Sequence, residues 1–248
     1  MQPQQPIHTA PAGAGWRWIT DAFRLFRADA GAWIAAMIVV FVVTIVVSSL
    51  PLLGSLLINL FAPVLFGGIA LGAQAQDRGE RFKLEYLWAG MQSPHLQPLL
   101  LLGVAYVVMG AIIVVVAMVL VFGSAVSVSA LSGDHADVAA ASGVLLGALV
   151  VLLMSALMGM ATWFAPTLVV LSSMDPVAAL QTSFAACLRN VIPLLVYGIA
   201  LLALLILAMI PLGLGLLVLA PVMLLSVFTA YKDIFVPASA APRRPVIS

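Results

Sequence analysis

Charge is scarce in this chain, and the places that lack it decide the class. Lys, Arg, Asp and Glu make up 8% of the 248 residues, against 64% hydrophobic residues and a mean hydropathy of +1.22. A water-facing domain needs about a quarter of its residues charged, so a soluble globular fold is excluded, and disorder is excluded for the body of the chain. One cysteine, Cys187, rules out an internal disulfide framework and a Cys-based zinc site, and it reads as an inert packing residue. The three histidines, His8, His95 and His135, fall in different connections. They do not converge with Cys187 on the nucleophile, base and orienting group that hydrolysis requires.

Six runs contain no Asp, Glu, Lys, Arg or His: Ala32–Leu50, Leu53–Ala73, Leu99–Phe122, Gly143–Phe164, Val191–Ile210 and Leu212–Ala230. A helix rises 1.5 Å per residue, so about 20 residues cross a hydrocarbon layer of roughly 30 Å. The fourth run is expected to continue past Pro166 with a kink. The lack of ionisable residues in the runs argues against a proton-coupled transporter or a channel with a charged ring.

All ten basic residues sit in alternate gaps between these runs. Arg17, Arg24 and Arg27 precede the first, and Arg78, Arg81 and Lys83 follow the second. Arg189 precedes the fifth, while Lys232, Arg243 and Arg244 follow the sixth. Basic residues stay on the cytoplasmic side, so both termini are expected there. The gap Ser124–Ser142, with Asp134, His135 and Asp137, is expected to be an exported loop. Its three titratable groups read as solvated rather than as metal ligands. The first run is too long for the apolar region of a cleavable signal peptide. Residues 1–15 and 237–248 read as flexible tails around a single membrane domain, 16–236.

Each cytoplasmic segment that leads into a pair of runs has an amphipathic pattern. At 100° per residue, Arg17, Thr20, Asp21, Arg24 and Arg27 share a sector of about 120°, opposite Trp16, Trp18, Ile19, Ala22, Phe23, Leu25 and Phe26. Such a helix lies in the headgroup layer. Leu84, Leu87, Trp88 and Met91 form a second candidate. The third starts at Asp175-Pro176, an N-cap followed by proline, with Val177, Leu180, Phe184 and Leu188 on its apolar side. The outer pairs of runs also share landmarks, with turns at Leu50–Gly54 and Ile210–Gly213 and an Ala-Pro-Val triplet at Ala62–Val64 and Ala220–Val222. The chain therefore reads as three parallel units, about 16–76, 82–172 and 175–235, each an interfacial helix plus a helical hairpin.

Candidate contacts are few. Arg17, Arg24, Arg27, Arg78, Arg81 and Lys83 are placed to meet anionic lipid headgroups. Asn59 is the polar group most costly to leave unpaired in a span, and is expected to bond between helices or touch a substrate. The pairs Gly68/Gly72, Gly143/Gly147 and Ser155/Gly159 allow close helix approach, within the chain before a dimer seam. No catalytic residue, cofactor, metal or nucleic-acid partner is expected.

The segment Gly15–Phe26, the turn Leu50–Gly54 and Pro63 resemble a family of proteobacterial inner-membrane proteins of unassigned function. Residues 166–190, with Asp175, Pro176, Ala179, Leu180, Ser183, Phe184 and Asn190, are similar to a broader group. That group includes the membrane domain that precedes some bacterial glycerophosphoryl diester phosphodiesterases. The resemblance implies a bacterial inner-membrane location and no assigned activity. The expectation is an all-α, six-span, non-enzymatic protein that organises lipid or partner proteins, with room for a protein partner or homo-oligomer. The alternative is a permease for a lipid-like or apolar compound.

Overall fold

The computed structural model describes residues 6–51, 53–92, 94–129 and 135–236, and of residues 123–129 and 135–142 the backbone alone. Arg243, Arg244, Asp134 and the tail 237–248 lie outside the described residues. Among those described there are nine α-helices, one 3₁₀ helix and no strand. They are α1 (Ala14–Ala28), α2 (Ala30–Ser48), α3 (Leu53–Asp77), a 3₁₀ helix (Leu84–Met91), α4 (Leu96–Ser129), α5 (His135–Thr162), α6 (Ala165–Ser172), α7 (Pro176–Arg189), α8 (Val191–Met209) and α9 (Leu216–Phe235). Six spans are long and apolar enough to cross a membrane: α2, α3, α4, α5 with α6, α8 and α9. The chain is an all-α, multi-pass membrane protein.

Several boundaries differ from the sequence reading, each for a local reason. The fourth run breaks at Trp163-Phe164 because Pro166 lacks an N–H, so the carbonyl of Thr162 loses its helical donor. The Tyr106 hydroxyl donates to that carbonyl instead, at 3.0 Å. The gap Ser124–Ser142 is largely helical backbone, since α4 continues to Ser129 and α5 begins at His135. The last span starts at Leu216, after a turn in which Leu212 and Gly213 take positive φ (54° and 81°). The second amphipathic candidate is a 3₁₀ helix. Residues three apart eclipse in that geometry, so Leu87 and Gly90 are buried together while Trp88 stays exposed.

Residues 6–13, assigned from sequence to a tail, are tied down. Asn190, fully buried, accepts from the Ala10 N–H at 2.8 Å and donates to the carbonyls of His8 (3.2 Å) and Ala186 (3.0 Å). The His8 N–H donates to the carbonyl of Ile234 at 2.8 Å. The first turn of the chain is thereby joined to its last helix.

The lead helices follow one docking rule. The 3₁₀ helix packs on α3 and α2, α7 on α5 and α4, and α1 on α9 and α8. Each lead element thus sits on the hairpin of the unit before it, and α1, having none before it, sits on the last. The three units close into a ring. The second helices converge in its middle: α3 packs on α6 and α9, and α6 meets α9 through Ser172 Oγ and Tyr231 Oη, 2.8 Å apart. Each of these helices carries an Ala-Pro step with the proline buried, at Pro63, Pro166 and Pro221.

The buried residues gather at the end of the bundle that holds the chain's first and last helix ends. Trp33, Val64, Leu99, Leu102, Phe164, Leu168, Leu225 and Ile234 are almost fully enclosed there. Toward the hairpin tips the apolar side chains point outward, as Phe41, Val46, Phe122, Leu145 and Ile210 do. Such faces suit a hydrocarbon surrounding rather than water.

Candidate functional site

Two of the joints in the ring are made by a polar residue at a helix break. Asp29 separates α1 from α2, at φ −141° and ψ 47°, and Asn190 separates α7 from α8, at φ −119° and ψ 32°. Asp29 Oδ2 accepts from the Phe82 N–H at 2.9 Å, just as Asn190 accepts from Ala10. In both cases the acceptor belongs to one unit and the donor to the segment that leads into the next. Gln76 reinforces the first joint: its Nε2 donates to the Leu25 carbonyl (2.8 Å), and its Oε1 accepts from Trp33 Nε1 (3.0 Å). The Trp33 and Phe82 rings stack at 3.8 Å beside it.

The basic residues named from sequence form two groups at this end. On α1, Arg17 pairs with Asp233 (3.5 Å) and Arg24 with Asp21 (2.9 Å), while Arg27 lies over the Phe23 ring, 6.0 Å from its centroid. Arg78, Arg81 and Lys83 are exposed on the connection from α3 to the 3₁₀ helix and belong to none of the three ion pairs among the described residues. Asp77 in the same stretch is bound across the ring by Lys232. Acidic neighbours Glu80 and Glu85 offset much of this cluster's charge.

Asn59 departs from expectation. It is exposed on α3, and its Nδ2 donates to the Ser55 carbonyl of its own helix at 2.8 Å. It makes neither an interhelical bond nor a contact with a buried site, because α3 turns its packed face to Pro63, Gly67 and Gly68 instead. Gly68 is used within the chain, its Cα pressed against the backbone of Tyr86 and Leu87. Gly159 faces open space.

The cavities lie on either side of α8. One, of about 460 Å³, lies between α1 and the legs of the last hairpin, lined by Ile19, Phe23, Leu204, Ala208, Val218 and Leu219 among others. The other, of about 500 Å³, separates α5 from α8 and is lined by Gly159, Trp163, Cys187, Tyr197, Gly198 and Leu201 among others. The corresponding seam between the first two units is shut, because Gly103 of α4 rests on the carbonyl of Leu60 in α3. The second groove is thus an opening that the ring leaves at one seam only of these two. Cys187 in its wall is desolvated, which pushes its thiol up to about 12, and its Sγ lies 3.4 Å from the Met160 carbonyl.

Among the described residues no group of three or more His, Cys, Asp or Glu side chains is placed to hold a metal ion. The side chains of His135 and Asp137 lie outside that description. The chain matches no protein-family model, no curated protein and no solved structure.

Proposed function

We propose that this chain is a non-enzymatic integral protein of a bacterial inner membrane that holds and organises lipid. One observation carries the reading: two apolar grooves flank α8, whose side chains Leu195, Ile199 and Ile206 are exposed along a span that hydrocarbon would surround. A lateral groove in that setting is filled by lipid chains, since polar solutes would be stranded there without partners. The basic residues at one end support a cytoplasmic location for both termini, with α1 at the headgroup level. The family resemblance set out above agrees with this placement.

The test is extraction of the full chain from native membranes in a lipid-retaining polymer, followed by mass spectrometry and lipid turnover assays. Bound lipid at stoichiometric ratio without turnover is the expected result. Robust turnover of any lipid, or a stoichiometric protein partner with no enriched lipid, overturns it. A permease for an apolar compound is the second reading, favoured by the three buried prolines, which weaken the helices at matching places. It requires flux in proteoliposomes.

A further inference from the structure

We infer that the groove beneath α1 seats one glycerophospholipid, its phosphate at Arg27 and one acyl chain between α8 and α9. The inference rests on the lipid-holding reading and adds a site and a lipid class to it. The groove's roof is the apolar side of α1, where Trp16, Ile19 and Phe23 face Leu204, Ala208, Val218 and Leu219. It is open because α8 and α9 stand apart between the Tyr197–Ser226 hydrogen bond and the tip, where Gly215 presses on Ala208. From Leu204 to Pro211 the α8 wall runs about 10 Å along the helix axis, a path that leads a chain from α1 toward the tip.

Arg27 supplies the polar end. It is exposed, lies over the ring of Phe23, itself a lining residue, and enters none of the three ion pairs among the described residues. The acids nearest it in sequence are otherwise engaged: Asp21 pairs with Arg24, and Asp29 accepts from Phe82. Arg27 also lies three residues before α2 enters its span, so its guanidinium is at headgroup depth. A guanidinium binds phosphate through two parallel hydrogen bonds, which a lipid without phosphate does not offer. The attraction has to come from this side chain, because the carbonyls at the C-terminus of α1 carry partial negative charge.

The full chain is washed in detergent and exposed to mixed micelles of phosphatidylglycerol and diacylglycerol, and retained lipids are counted by native mass spectrometry. The expected result is one retained phosphatidylglycerol, no retained diacylglycerol, and about tenfold weaker retention in both Arg27→Gln and Val218→Trp. Arg27→Lys, which keeps the charge and loses the paired bonds, falls between. Leu149→Trp, exposed on α5 outside the groove, retains lipid like the parent. Circular dichroism and gel filtration verify that each variant is folded. Equal retention in the parent and both groove variants, loss in only one of them, or equal retention of diacylglycerol overturns the site while leaving the lipid-holding reading. A parent chain that retains no phospholipid overturns both.

Discussion

At the scale of single residues, two asparagines show how far polarity alone misleads. Asn59 lies in a span and drew attention for that reason, yet its amide is satisfied by its own helix. Asn190 sits in a connection and is the one that matters, with three hydrogen bonds and no exposure. Asn190→Ala leaves the buried Ala10 N–H without its partner, at on the order of 1–3 kcal/mol, and removes the bond to the carbonyl of the exposed His8. Thermal unfolding in detergent is expected to show a clearly lowered midpoint for Asn190→Ala and almost no change for Asn59→Leu. Cys187 gives a second test. With its thiol at about 12, the thiolate fraction at pH 8 is about a thousandfold below that of a free cysteine. A thiol-alkylating reagent is therefore expected to label the folded protein only slowly, faster as pH rises toward 12, and readily once it is unfolded. The sequence showed Cys187 as a packing residue but gave no sign of Asn190 as a joint. Two of its three partners lie some 180 positions away, and no local pattern encodes them.

At the scale of elements, hydropathy located all six spans, because length and apolarity are what a bilayer selects. The ends moved where something other than hydropathy decided them, as at Pro166, at the turn Pro211–Gly215 and along the 3₁₀ helix. Small residues separate into two kinds that the sequence does not distinguish. Gly103 touches the backbone of Leu60, so Gly103→Ala is expected to force α3 and α4 apart and lower the thermal midpoint by several degrees. Gly159→Ala and Gly198→Ala add a methyl where no atom lies within 4 Å, and are expected to be neutral or slightly stabilising through helix propensity. The contrast, read by unfolding of the three variants side by side, tests whether the α5–α8 seam is open in solution. The third Ala-Pro step, Ala165-Pro166, stands in the sequence but did not read as a partner to those at Pro63 and Pro221, because the middle unit is longer and its second helix is broken just before it.

At the scale of the whole molecule, the ring makes the position of the chain ends a matter of convention. The His8 amide and the Ile234 carbonyl are 2.8 Å apart, so a short linker can join residues 6 and 236. New ends cut in the connection between α6 and α7, near Ser173, should give a circular permutant that inserts and unfolds close to the parent, provided the linker leaves the Asn190 joint intact. A permutant that fails to fold with an intact joint counts against the closed ring. The same closure sets an order of events during synthesis. α1 leaves the ribosome first, but the surface it covers is completed only when α9, made last, has been inserted. Before the last hairpin is made, α1 has only its smaller contacts with α2 and α3, and Trp18 lacks the α9 groups that bind it, Asp233 and Thr229. The last hairpin therefore supplies the surface that closes the ring over the first helix.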